Sequence, residues 1–375
     1  MEMGCTMKIA EVKTFLVNAD QGTRSERPRG RNWIFVKIAT DTGIAGVGEG
    51  GGWPEVVEKG IQEVRHFLIG EDPFGIERLW LRIYDVLHSH GLTGAVRGGV
   101  LSAIDMALWD VKGKALGVPV YELLGGKLWD RIPVYGHAST PEQAKQLLDR
   151  GFAAFKCAPS AKVLAALRET VGPEVEIGVH CHGEFSPSGA IALGKACEPF
   201  APAFFEEPVS PDDTEALAKV AAKVDIPIAM GERLFGKWAF RDVLDRNIVD
   251  LVQPEITRVG GILEEKKVAI MAEARSVKVA PHDGSAGPIA EMANVHVMAS
   301  IPNMRFLEHR AEDVPWRGTV APGMIPDKDG YIQVPDLPGL GIDVDEEECA
   351  KHPAKPTEAY TYNLRTPDEI QRDRP

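Results

Sequence analysis

Down the second half of the chain, short apolar runs alternate with longer segments whose apolar residues recur every three or four positions. The runs read "RIPVYGH", "AAFKC", "VEIGVHCH", "PAFFEEP", "IPIAMGE", "VDLVQPE", "VKVAPH" and "NMRFLEH". Between them lie segments such as "TPEQAKQLLDRG", "AKVLAALRETVG", "TEALAKVAAKV", "GKWAFRDVLDRN" and "GILEEKKVAIMAEARS". The short runs have the character of strands, and the 3.6-residue period marks helices. Strands alternating with helices make βα units on a parallel sheet, an α/β fold, and eight of them predict a closed barrel rather than an open sheet.

Ahead of this array the order changes. "MKIAEVKTFLV" and "NWIFVKIATDTGIAGVGEG" read as strands, the second folding back at "DTG" as a hairpin would. "WPEVVEKGIQEVRHFLIG", "GIERLWLRIYDVLHSHG" and "GAVRGGVLSAIDMALWDVKGKALG" then read as helices. The pattern predicts an α+β domain over residues 1–126 and a barrel over 127–319. From about 320 to 375 the chain is rich in Pro and Gly, and its "GYIQVP" is expected to return a strand to the first domain. The polar stretch Asn18–Asn32, "NADQGTRSERPRGRN", is either solvated surface or a lid whose arginines meet an anionic substrate.

A net charge of −13 argues against nucleic acid and anionic membrane as partners, so an anionic ligand would need a local cationic site or a metal. The five cysteines form no CxxC pair, which fits free thiols in a reducing cytoplasm. The first residues lack the apolar core of a signal peptide, and no run is long enough to span a membrane.

The strand ends carry the candidate chemistry. Lys156, His180, Glu206, Glu232, Glu255, His282 and Glu308 follow one another at intervals of 23 to 27 residues. Any one of them could be a surface salt-bridge residue. Together they fall at the carboxyl ends of successive strands, which in a βα barrel converge on the face where active sites sit. His180 and His182 lie two apart in "GVHCHGEF", so on a strand they face the same side.

The "FEEP" at Phe205–Pro208, the "GER" at Gly231–Arg233, the "QPE…GGI" from Gln253 to Ile262 and the "APH" at Ala280–His282 resemble the enolase superfamily, within it the mandelate racemase subgroup. "AIDMALWDVKGKALGVPVYELLGG" is similar to the end of that family's capping domain, and the position of His182 resembles galactonate-dehydratase-like acid-sugar dehydratases. The resemblance implies a modified (β/α)7β TIM-type barrel under an N-terminal α+β capping domain. It implies Mg²⁺ held by three carboxylates, of which Glu206 and Glu232 would be the second and third. The first, normally Asp, is His180 here. Imidazole suits Mn²⁺ or another softer divalent metal better than Mg²⁺. His180 is therefore either a ligand, a residue turned aside from the metal, or a sign that metal and turnover are lost.

The implied reaction removes the proton α to a carboxylate. His282, supported by Glu255, is the candidate base. His182 is the candidate acid for the departing 3-hydroxyl, the product being a 2-keto-3-deoxy acid. Lys156 would hold the substrate carboxylate or neutralise the enediolate, or else simply pair with Glu206. Glu308 would donate a hydrogen bond to the enediolate, which requires it protonated, as a desolvated carboxyl among carboxylates can be. Glu207 and Arg233 would support the ligand positions. "KCA" places Ala158 where racemases of the subgroup carry a second lysine, so dehydration fits better than two-base racemisation. The alternatives are a racemase, epimerase or cycloisomerase of an α-substituted carboxylate, or a degenerate carboxylate-binding homologue. A cytoplasmic homo-oligomer acting on an acid sugar is the expectation.

Overall fold

The computed structural model describes residues 7–20 and 31–355. The arginine-rich centre of the Asn18–Asn32 loop (21–30), the end of the C-terminal return (356–375) and Cys5 lie outside the described residues.

Three antiparallel strands come first, β1 (Ile9–Asn18), β2 (Asn32–Thr40) and β3 (Ala45–Gly50), in the order β1-β2-β3. The β2–β3 hairpin turns at Asp41–Gly43, where Gly43 has a φ of +83°. Helices Pro54–Val64, Ile76–Ser89 and Gly94–Leu116 cover this sheet. The last lies directly on β3, because a Cβ at Gly48 would sit 2.0 Å from the Ala103 carbonyl oxygen.

Eight parallel strands follow: β4 (Arg131–His137), β5 (Ala154–Cys157), β6 (Glu176–His180), β7 (Phe204–Glu206), β8 (Ile228–Met230), β9 (Leu251–Val252), β10 (Lys278–Val279) and β11 (Leu307–Glu308). From β4 to β10 each pairs with the next, and β11 pairs with β4. The ring closes between β10 and the residues entering β11. There Val279 N–H donates to Asn303 O at 3.0 Å and Arg305 N–H to Val279 O at 2.8 Å. Every strand but β11 is followed by helix before the next, which is the expected (β/α)7β order.

The barrel interior is filled rather than open. Tyr135, Phe204 and Phe306 pack ring to ring with centroids 4.7 to 6.0 Å apart, and Ala154, Ala229 and Ala280 make room for them. Gly178 on β6 belongs to the same fit, since a Cβ there would lie 2.1 Å from the Phe204 ring. This plug forms the floor beneath the strand ends.

One expectation is corrected. "GYIQVP" does form a strand, β12 (Tyr331–Gln333), but it pairs antiparallel with β4 rather than with the first sheet. The pairing of β4 with β5 and β11 begins at Gly136 and Val134, so Arg131–Pro133 offer free edge that β12 covers. Contact with the first domain comes later in the chain. Val120 N–H donates to Gly339 O at 2.9 Å, and Asn18 N–H to His352 O at 2.8 Å.

The two units also meet through buried polar groups. Glu49 on β3 accepts the backbone N–H groups of Gly287 and Ala290 at the start of helix Pro288–Ala299. Burial pushes its carboxyl up to about 7. Trp80 Nε1–H donates to Gly260 O at 2.9 Å, and Gly260 N–H donates to Ser102 Oγ at 3.0 Å. No helix among the described residues is long and apolar enough to cross a membrane, and Cys157, Cys181, Cys197 and Cys349 are free and buried.

Helix Pro288–Ala299 is buried along its whole length, including Glu291. That charge is matched by Arg317 and by His309, which follows β11 and also reaches Asp327 at 3.2 Å. Burial alone would lower the His309 pKa, but Glu291 and Asp327 outweigh it and raise it to about 9.

Two predictions follow from this packing. Gly178→Ala should destabilise the protein by about 1–3 kcal/mol, measured by urea unfolding, because Phe204 is locked between two other rings. An unchanged midpoint would mean the plug yields. For His309, a raised pKa gives stability that is whole below about 6.5 and is lost as pH rises through about 9. The thermal midpoint should therefore fall across that window, and less steeply in a His309→Gln variant.

Candidate active site

The parallel register sets which strand-end side chains become neighbours. His137 pairs with Lys156 and His180 with Glu206, and an isolated bridge joins Glu255 to His282. All eight residues singled out from the sequence lie at this one mouth and contact one another.

Glu206 is buried among several partners. Its Oε1 accepts from Lys156 Nζ at 2.7 Å and lies 2.6 Å from His180 Nδ1. Its Oε2 accepts from Gln253 Nε2 at 2.9 Å. Lys156 Nζ also stands 3.1 Å from Glu308 Oε1. Burial raises the Glu206 carboxyl, but Lys156 and His180 outweigh it and push it down to about 2. Lys156 shows the reciprocal effect: burial works against its charge, yet Glu206 and Glu308 raise its pKa.

Glu232 is held between two imidazoles. His182 Nε2 lies 3.2 Å from its Oε1 and His282 Nε2 lies 2.8 Å from its Oε2. Burial raises its pKa, but His282 and His182 together hold it well below the ordinary range. His282 Nδ1 is 2.7 Å from Glu255 Oε2, and the other oxygen of Glu255 accepts the Thr257 hydroxyl at 2.7 Å. Thr257 N–H donates to the same oxygen, so Glu255 also caps the short helix Ile256–Val259 and its orientation is fixed. Burial alone would lower the His282 pKa, but Glu308, Glu232 and Glu255 raise it well above the usual imidazole value.

His182 does not reach the site as a strand neighbour. β6 ends at His180, and His182 lies beyond it with a left-handed φ of 52°. Gly183 N–H donates to Glu207 O at 2.7 Å and holds that turn. The two rings still come within 5.5 Å, but they bond to different carboxylates. Glu207 and Arg233 pair as anticipated, with Arg233 Nε donating to Glu207 Oε2 at 2.8 Å.

In the substrate-free protein the surroundings of Glu308 favour its ionised form. Burial raises its pKa, but His282, Lys156 and His137 outweigh it and hold it well below the ordinary carboxylate range. Glu308 is thus an acceptor here, taking the Asp283 N–H at 3.2 Å and the Tyr135 hydroxyl at 3.3 Å.

Three participants were missed in the sequence. Tyr135 and Gln253 carry no charge and so leave no mark on the spacing. His137 ends "RIPVYGH", but Lys156 follows it by only 19 residues, outside the regular interval. Its Nε2 is hydrogen-bonded to Glu308.

Among the described residues no group of three or more His, Cys, Asp or Glu side chains is already disposed as a metal cage. The oxygens of Glu206 and Glu232 are engaged by Lys156, His180, His182 and His282. The charge balance nevertheless suits a cation. Glu206, Glu232, Glu255 and Glu308 are all held ionised, against Lys156 and His282 held cationic. Hard carboxylate oxygens beside an imidazole are donors that fit a divalent ion once those partners exchange.

Comparison with known proteins agrees with this geometry. Residues 9–125 match the mandelate racemase / muconate lactonizing enzyme N-terminal domain, and residues 139–348 match the enolase C-terminal domain-like family. A D-galactonate dehydratase of Ralstonia pickettii is 38% identical over 343 residues, covering 84% of this chain and 89% of its own. One from Variovorax paradoxus is 36% identical over 372 residues, covering 91% and 93%. A Pantoea ananatis enolase crystallised with bound D-gluconate and Mg superposes with a TM-score of 0.85 at 30% identity, over 93% of this chain and 95% of that one. The 3,6-anhydro-D-galactonate cycloisomerase of Zobellia galactanivorans gives 0.86 at 32%, over 93% and 100%. The chain belongs to the enolase superfamily, in its mandelate racemase subgroup, as a galactonate-dehydratase-like member.

Proposed function

We propose that the protein is a metal-dependent dehydratase of an aldonic acid sugar, a hydro-lyase producing a 2-keto-3-deoxy acid. The observation that carries this reading is the pair of imidazoles on one carboxylate. His282 and His182 approach the two oxygens of Glu232 separately, so a small molecule seated beside Glu232 meets a base and an acid. Within this scheme residues 1–126, with the return from about 320, cap the site, and 127–319 carry the chemistry.

Glu206 and Glu232 would hold the divalent metal, with His180 beside them in place of a third carboxylate. The metal, Mg²⁺ by analogy with the gluconate-bound relative or Mn²⁺ for an imidazole neighbour, supplies Lewis-acid stabilisation of the charge developing on the substrate carboxylate. The protein supplies the proton transfers. Once Nε2 of His282 is released from Glu232 and has given up the proton it shares there to solvent, the neutral ring accepts the C2 proton at Nε2, while Glu255 fixes Nδ1 as the protonated side. The C3–O bond then breaks, and the departing hydroxide takes a proton from His182 and leaves as water. The enol that remains tautomerises to the 2-keto acid. Lys156, kept cationic by Glu206 and Glu308, offsets the enediolate charge. Ala158 supplies no second base opposite His282; its N–H donates to Ser139 Oγ. We place the enzyme in the cytoplasm, in keeping with its free buried cysteines, and as a homo-oligomer by the habit of the subgroup.

His282→Asn should lower turnover of D-galactonate or D-gluconate by about 10²–10⁴-fold, read as semicarbazide-reactive product. Retained activity would remove His282 from the role of base. Exchange of the α-proton with D₂O without 2-keto product would instead favour a racemase or cycloisomerase. Removing divalent ions with a chelator should abolish turnover, and Mg²⁺ or Mn²⁺ should restore it. His180→Asp should bind Mg²⁺ more tightly by calorimetry, since it adds a third hard anionic donor. An unchanged affinity would place the metal away from His180.

A further inference from the structure

His137 stands at the end of β4 between Lys156 and Glu308, on the first strand of the barrel. Its side chain is 52% exposed within the mouth, unlike Lys156 and Glu308, which are almost fully buried. The Nε2 side bonds to Glu308, and Nδ1 takes no partner among the described residues.

The chemistry of that nitrogen follows from its neighbour. Glu308 is held ionised by its cationic surroundings, so it can only accept, and His137 must carry a proton on Nε2. Burial lowers the His137 pKa against the pull of Glu308, so a second proton is disfavoured. The ring is then the neutral tautomer with a lone pair on Nδ1. An unpartnered lone pair on this half-exposed ring attracts a hydroxyl donor and repels a carboxylate oxygen.

We propose that His137 is a specificity-determining residue whose Nδ1 accepts a hydrogen bond from a hydroxyl on the polyol chain of the acid sugar. The assignment rests on the dehydratase reading of the same site. It makes the enzyme sensitive to one hydroxyl, because an acceptor covered by the bound substrate and left without its donor costs affinity.

The test compares D-galactonate with its 4-deoxy, 5-deoxy and 6-deoxy analogues in the wild type, His137→Phe and His137→Gln. In the wild type one deoxy analogue should lose about threefold to tenfold in kcat/KM, the worth of one neutral hydrogen bond. That ratio should fall to about one in His137→Phe, the other ratios should stay unchanged, and His137→Gln, whose amide oxygen can accept, should keep part of it. A uniform fall across all analogues in both variants, ratios preserved, would overturn the proposal and leave His137 acting only through Glu308. If His137→Phe does not fold, retention of the ratio in His137→Gln and its loss in His137→Leu decide the matter. If the wild type dehydrates none of these acids, the dehydratase reading fails; calorimetric Kd ratios for the same panel then judge His137 alone, and absence of binding overturns it too.

Discussion

Four carboxylates buried at the mouth of one barrel would each favour the neutral form if left to themselves. Glu206, Glu232, Glu255 and Glu308 are kept ionised instead, because Lys156, His282 and the neighbouring imidazoles stand within hydrogen-bonding distance. Removing one partner from such a buried set leaves an uncompensated charge, typically a loss of several kcal/mol. The arrangement is therefore tightly interdependent, and its excess of negative charge is what makes a cationic metal a natural addition.

The fold creates this arrangement by simple means. Parallel register brings each strand-end side chain beside the next, and the Tyr135–Phe204–Phe306 plug closes the barrel beneath them. Tyr135 belongs to both layers, since its ring is in the plug and its hydroxyl reaches Glu308. The loop after β10 that begins with His282 is tied down from several directions. Glu49 holds Gly287, Arg317 donates to Ala286 O, Arg258 to Ser285 Oγ and Arg310 to Gly284 O. Glu49 belongs to the capping sheet, so docking of that sheet and placement of His282 are mechanically connected.

The barrel was legible in the sequence because each strand end carries an ionisable residue at nearly constant spacing, a signal that survives without any knowledge of contacts. Other features were not. Helix Pro288–Ala299 is buried on every side, so no amphipathic period marks it, and Pro187–Cys197 is built largely from Ala and Gly. The strand at Tyr331–Gln333 was visible, but its partner depends on a free edge of β4 that only the assembled sheet reveals. Two site details failed for related reasons. His182 was expected on a strand, whereas β6 stops two residues short and a left-handed turn delivers the ring. Glu308 was expected to be protonated because its burial could be inferred, while the close approach of the cations Lys156 and His282 could not.

The most direct test of this account is a ¹³C NMR titration of the glutamate side-chain carboxyls in the metal-free protein, with the Glu308 resonance assigned by its absence in Glu308→Gln. An unperturbed glutamate is half protonated near pH 4.3. The account expects Glu308 still to be ionised at that pH. A Glu308 carboxyl that takes up its proton near neutral pH would contradict it.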